Sequence, residues 1–121
     1  RVCAEFQIEP ILPLWGIDPG ELLTEFCKSR FKAVVIATTL EESLLGKNMD
    51  NAFLAEIKRF NCHPCGEFGE YHTFVTDGPI FKTPLKVTPG RRYKRDSVWF
   101  MEISSLATAS PMLAPVRQKC L

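Results

Sequence analysis

The spacing of apolar residues changes several times along the chain, and each change marks an element. Residues 8–15, I-E-P-I-L-P-L-W, are a short apolar run interrupted by Pro10 and Pro13. Proline contributes no N–H to a ladder, so the run predicts an edge strand or a strand with an irregular end, closed by Gly16. Asp18, Pro19 and Glu21 then occupy the cap, first and third positions of a helix. That helix is expected to reach about Arg30, with Leu22, Leu23, Phe26 and Cys27 on one face. Phe31 to Thr38 is almost continuously apolar, as a central strand covered on both faces would be. Strand, helix and strand at these lengths predict a right-handed β-α-β crossover and thus a parallel pair.

Residues 39–49 form a connector, after which Asp50 caps a second helix running to about Phe60. Its inward stripe is Phe53, Leu54, Ile57 and Phe60, and Lys58 and Arg59 suit the negative end of the helix dipole. From residue 70 the pattern alternates. Glu70, His72 and Phe74 fall on one face and Tyr71, Thr73 and Val75 on the other, until Asp77-Gly78-Pro79 turns the chain. Leu85–Tyr93 and Val98–Ile103 read as a hairpin joined through residues 94–97. The expected fold class is α/β, becoming α+β toward the C-terminus: a β-α-β-α parallel unit followed by an antiparallel hairpin. Residues 1–104 would form one domain and residues 105–121, in a stretch rich in Ser, Ala, Thr and Pro without a period, a loose tail.

Composition narrows the class without naming a function. The 121 residues suit one domain; 45% are hydrophobic and 24% charged, a globular balance. A net charge of +1 gives no general pull toward nucleic acid or an acidic membrane. No apolar run approaches the roughly 20 residues a membrane-crossing helix needs. Five cysteines, an odd set, argue for reduced thiols in a cytoplasmic protein rather than a disulfide framework. Residues 1–7 read like the end of a helix already under way, and the first residue is Arg1, so the chain is expected to be part of something longer.

Chemically capable groups gather between Cys62 and Phe81. Gly66 and Gly69 permit positive φ and close ligand approach. Glu67 and Glu70 could hold Mg²⁺, orient an amine or act as general base; equally, they could bond backbone N–H groups and only shape the loop. Glu70 and His72, two apart on one strand face, are able to touch one ligand. Cys62-x-x-Cys65 has the spacing of half a zinc site or a redox pair, but there is no second such pair, and His63 lies awkwardly between the thiols. The basic run Arg91–Arg95 reads mainly as a solvated hairpin end.

The string G-E-F-G-E-Y-H-T-F-V-x-D-G-P-I-F resembles the central motif of the diphthine–ammonia ligase family of ATP pyrophosphatases, which are adenine nucleotide α-hydrolase-like proteins. E-P-I-L-P-L-W-G at 9–16, F-K-A-V-V-I at 31–36 and L-G-K at 45–47 agree in order, so the resemblance covers roughly residues 3–103. It implies the C-terminal, substrate-side half of an enzyme that adenylates a carboxylate with ATP and lets ammonia or an amine displace AMP. ATP and Mg²⁺ would be held by an N-terminal half carrying an S-G-G-K-D-S loop, which this chain lacks, so the chain alone should not turn over ATP. Carried over by position, Glu67 and Glu70 would be catalytic, and Gly66, Gly69, Tyr71, His72 and Thr73 substrate-binding, with no resident metal. His72 in place of the usual glutamate, and Cys65 before the motif, resemble bacterial members. The expected partner is a small-molecule or protein carboxylate, with no membrane and no nucleic acid, and with a homodimer left open. A non-catalytic module that holds a nucleotide or small ligand is the competing expectation.

Overall fold

A computed structural model describes residues 2–105. After a single turn of helix, α1 (Val2–Glu5), come α2 (Pro19–Lys28), β1 (Lys32–Thr38), α3 (Asn51–Ile57), β2 (Tyr71–Asp77), β3 (Val87–Arg95) and β4 (Val98–Ser105). The strands form one sheet in the order β2-β1-β4-β3, and every neighbouring pair is antiparallel.

Both main helices start where local chemistry demands. The Asp18 carboxylate accepts from the N–H groups of Gly20 and Glu21 at 2.9 and 3.0 Å, with Pro19 in the first turn. Asp50 accepts from Phe53 N–H at 2.9 Å. Past Ile57, α3 tightens into a 3₁₀ turn through Phe60, and Asn61 at φ 48° ends it. Phe53 and Ile57 are buried in the core, with Leu54 and Phe60 half-buried against it, which is the expected stripe.

The chain has the expected class, helices with a sheet, but not the parallel β-α-β-α unit. Residues 8–15 make no strand; they form an exposed arm in which Ile11 is 85% and Trp15 83% exposed. The prolines remove two ladder donors, and β1 has no free edge to offer. One edge of β1 pairs with β2. The other pairs with β4 at Ala37 and Thr38, and with residues 46–49 through bonds such as Val35 N–H to Lys47 O at 2.9 Å. β1 is therefore central, as its apolar sequence predicts, although between antiparallel neighbours. The hairpin turn is tighter than expected, with only Asp96 and Ser97 between the strands, both at positive φ (48° and 69°). The expected tail begins at residue 105, which closes β4, and its other residues lie outside those described.

Both main helices cover the same sheet face. Phe53 of α3 meets Tyr71 edge-on at 5.2 Å, and Leu22, Leu23 and Phe26 of α2 face Thr73 and Val75 across a hollow. The Tyr71–Thr73–Val75 face of β2 is thus the interior one.

Candidate functional site

The loop from Cys62 to Glu70 lies at the start of β2, and backbone groups hold it closed. Glu70 turns inward. One carboxylate oxygen accepts from His63 N–H and the other from Phe68 N–H, both at 2.9 Å. Its own carbonyl accepts from the Thr38 hydroxyl at 2.9 Å and Thr39 N–H at 3.0 Å, which staples the loop to the end of β1. Burial opposes ionisation of Glu70, but the N–H groups of His63, Phe68 and its own residue, with the nearby imidazole, outweigh it and hold the carboxyl below its ordinary value. Gly66 (φ 68°) and Gly69 (φ 85°) make the required left-handed bends; a Cβ on Gly66 would stand 3.0 Å from the Tyr71 ring and carbonyl.

Tyr71 is 4% exposed, and its hydroxyl donates to Pro64 O. Burial first, then the neighbouring thiols of Cys65 and Cys62 and the Glu70 carboxylate, push its phenol well up. Tyr71 braces the loop from beneath, with its hydroxyl committed to Pro64 O. The thiols of Cys62 and Cys65 go separate ways, to Ile57 O at 3.8 Å and Pro19 O at 3.2 Å. Burial, then the Glu70 charge at Cys62 and the Glu67 and Asp18 charges at Cys65, raise both, the opposite of a redox thiol. Among the described residues no three His, Cys, Asp or Glu side chains are placed to share a metal.

Glu67 points the other way. Its side chain is 66% exposed, with Oε2 3.7 Å from His63 Nε2. It stands between two adjoining hollows that share Leu14 and Leu22. One, of about 430 Å³, is walled by α2, Thr73 and Val75; the other, of about 370 Å³, by Trp15, Ile17 and His63. Together they make an apolar groove with one carboxylate–imidazole pair on its rim. A larger hollow of about 620 Å³, lined by Arg30, Lys32, Asp50 and Asp77, touches no residue of the loop. Chemistry favours the groove.

The structure divides the expected site residues. Glu67 and Thr73 line the groove and Gly66 and Gly69 make the bends of the loop, while Glu70 and Tyr71 are held inside it. His72 alternates to the far face of the sheet, exposed, opposite Ala37 of β1. Glu70 is thus engaged within the loop, while His72 is exposed on the sheet. Leu14, Trp15, Leu22 and His63 line the groove although none was expected in the site; Trp15 beside Gly16, so close before a helix start, was the available signal. Three groups that could take phosphate or Mg²⁺ already have partners. Asp18 and Asp50 already take first-turn N–H groups of α2 and α3, and both Glu70 oxygens are engaged. No helix among the described residues is long and apolar enough to cross a membrane.

Residues 18–108 match the family model described as the diphthamide synthase C-terminal domain. The chain is similar to the diphthine–ammonia ligase of Schizosaccharomyces pombe, 31% identical over 98% of this chain but 21% of that protein. It is also similar to the diphthine–ammonia ligases of Homo sapiens (34% identical over 72% of this chain, 35% of the relative) and Danio rerio (36% identical over 70%, 36% of the relative). The chain thus spans between a fifth and about a third of the length of these relatives.

Proposed function

The chain belongs to the diphthamide synthase C-terminal domain family, and on that premise we propose that it is the C-terminal part of an ATP-dependent amide-forming ligase. In this reading a carboxylate substrate is adenylated with release of pyrophosphate, and ammonia or an amine then attacks the acyl carbon. The C–N bond forms, the C–O bond to AMP breaks, and AMP leaves. Glu67 receives the surplus proton from nitrogen. The observation that carries the reading is the exposed Glu67 carboxylate on the rim of an apolar groove, within the family's motif. Apolar walls exclude water from an acyl-adenylate, and a positioned carboxylate base contributes on the order of 100-fold or more.

ATP and Mg²⁺ are assigned to residues outside this chain, since neither helix start nor Glu70 is free to hold them. Glu70 and Tyr71 support the rim; Gly66, Gly69 and Thr73 shape the acceptor side of the groove. His72 contacts whatever lies against the other sheet face. A cytoplasmic setting belongs to the same reading and is supported by four free thiols among the described residues.

The test is a chimera in which these 121 residues replace the matching stretch of the S. pombe relative. ATP-dependent formation of AMP and pyrophosphate by the chimera is expected, and its absence in a properly folded chimera would refute the assignment. Titration of the chain alone with ATP, AMP and Mg²⁺ should give no tight binding. Tight nucleotide binding would instead favour a self-sufficient nucleotide-binding module.

A further inference from the structure

Among the described residues, His63 is the side chain that pairs with Glu67. Its ring is anchored on three sides. Nδ1 accepts from Cys65 N–H at 3.3 Å, the ring edge meets Phe68 with centroids 5.3 Å apart at 83°, and the side chain is only 16% exposed. An Nδ1 that accepts a hydrogen bond carries no proton, so in the neutral ring the proton sits on Nε2. That nitrogen faces Glu67 Oε2 at 3.7 Å and lines the groove. The backbone N–H of Cys65 thus sets the tautomer, and the tautomer turns a donor toward the carboxylate. Glu70 fixes the same residue from behind, since His63 N–H donates to its carboxylate at 2.9 Å. The two glutamates meet at one histidine: Glu70 holds its backbone N–H, and its ring lies 3.7 Å from the exposed Glu67.

We propose that His63 is a positioning residue, whose Nε2–H holds the Glu67 carboxylate toward the groove, where the incoming nitrogen is handled. This rests on the role given to Glu67 above, but its first test does not depend on turnover. The chain has two histidines, so ¹⁵N-correlated spectra of the imidazoles resolve into His63 and His72, assigned with His72→Ala. His63 is expected as the Nε2–H tautomer, and Glu67→Gln should shift its Nε2 signal while leaving His72 unmoved. A proton on Nδ1, or no response to Glu67→Gln, would overturn the proposal.

The second test separates the two ring nitrogens in the chimera. His63→Asn keeps an acceptor for Cys65 N–H but loses the donor toward Glu67; His63→Gln does the reverse. The expected result is kcat lowered roughly 10-fold in His63→Asn, with KM for ATP unchanged, and within about 3-fold of the parent in His63→Gln. Equal losses in both, or a change confined to KM for ATP, would mean a purely structural histidine. A chimera with no turnover at all refutes the ligase reading, and the spectra still decide whether His63 sets Glu67.

Discussion

The inner and outer sides of the loop Cys62–Tyr71 hold the same kinds of group in opposite states. On the inner side Glu70 and Tyr71 have every polar atom committed: two N–H donors to the carboxylate, one carbonyl for the phenol, and a hydroxyl and an N–H on the Glu70 carbonyl. On the outer side Glu67 has no hydrogen-bonded backbone partner among the described residues and faces an apolar groove, with one imidazole nearby. Two glutamates three residues apart in one motif thus serve different ends: the inner builds the loop that presents the outer. A carboxylate satisfied by backbone donors is a poor base, since its lone pairs are occupied and its proton affinity is lowered.

This contrast can be broken from the inside first. Tyr71→Ala removes a buried ring that packs on Phe53 and the tie to Pro64, and should cost about 3–5 kcal/mol in urea unfolding. Tyr71 also carries a pH signature. Its folded phenol lies above its ordinary value of 10.0, so its contribution is whole below that pH and fades as pH rises further. Tyr71→Phe should flatten this alkaline loss. Glu70→Ala leaves two N–H groups without their acceptor and should cost roughly 2 kcal/mol. Its carboxyl is held below the ordinary 4.5, so its contribution is complete above that value and fades as pH falls through the lower folded one. The variant should lose that acid-side slope, measured by thermal melts across pH. Gly66→Ala combines positive φ with a tight approach to Tyr71 and should cost about 1–2 kcal/mol. Glu67→Gln, on the outer side, should stay within about 0.5 kcal/mol of the parent.

The helix starts were legible in the sequence because Asp18-Pro19 and Asp50 act through bonds two or three residues long. β1 was legible because a strand buried on both faces must be apolar throughout. The antiparallel order was not, since which edge meets which depends on pairings such as Val35 with both Thr73 and Lys47, far apart in sequence. The arm at residues 8–15 was misread for the same reason: its apolar residues suit a strand, but both edges of β1, the partner a β-α-β crossover would give it, are taken by segments distant in sequence. In the loop the glycines and both carboxylates were visible. Which glutamate would curl inward was not, because two left-handed bends at Gly66 and Gly69 decide it, and these lie in backbone geometry rather than residue type. The hairpin turn at 94–97 was legible, but its tightening to Asp96-Ser97 was not, because the positive φ values fall on residues other than the usual Asn-Gly.

The most direct test of the division between the two glutamates is Glu67→Gln in the chimera, read for pyrophosphate release and for melting temperature on one preparation. An unchanged melting temperature with turnover lowered on the order of 100-fold is the predicted result. Full turnover, or a melting temperature that falls as far as that of Glu70→Ala, would contradict it.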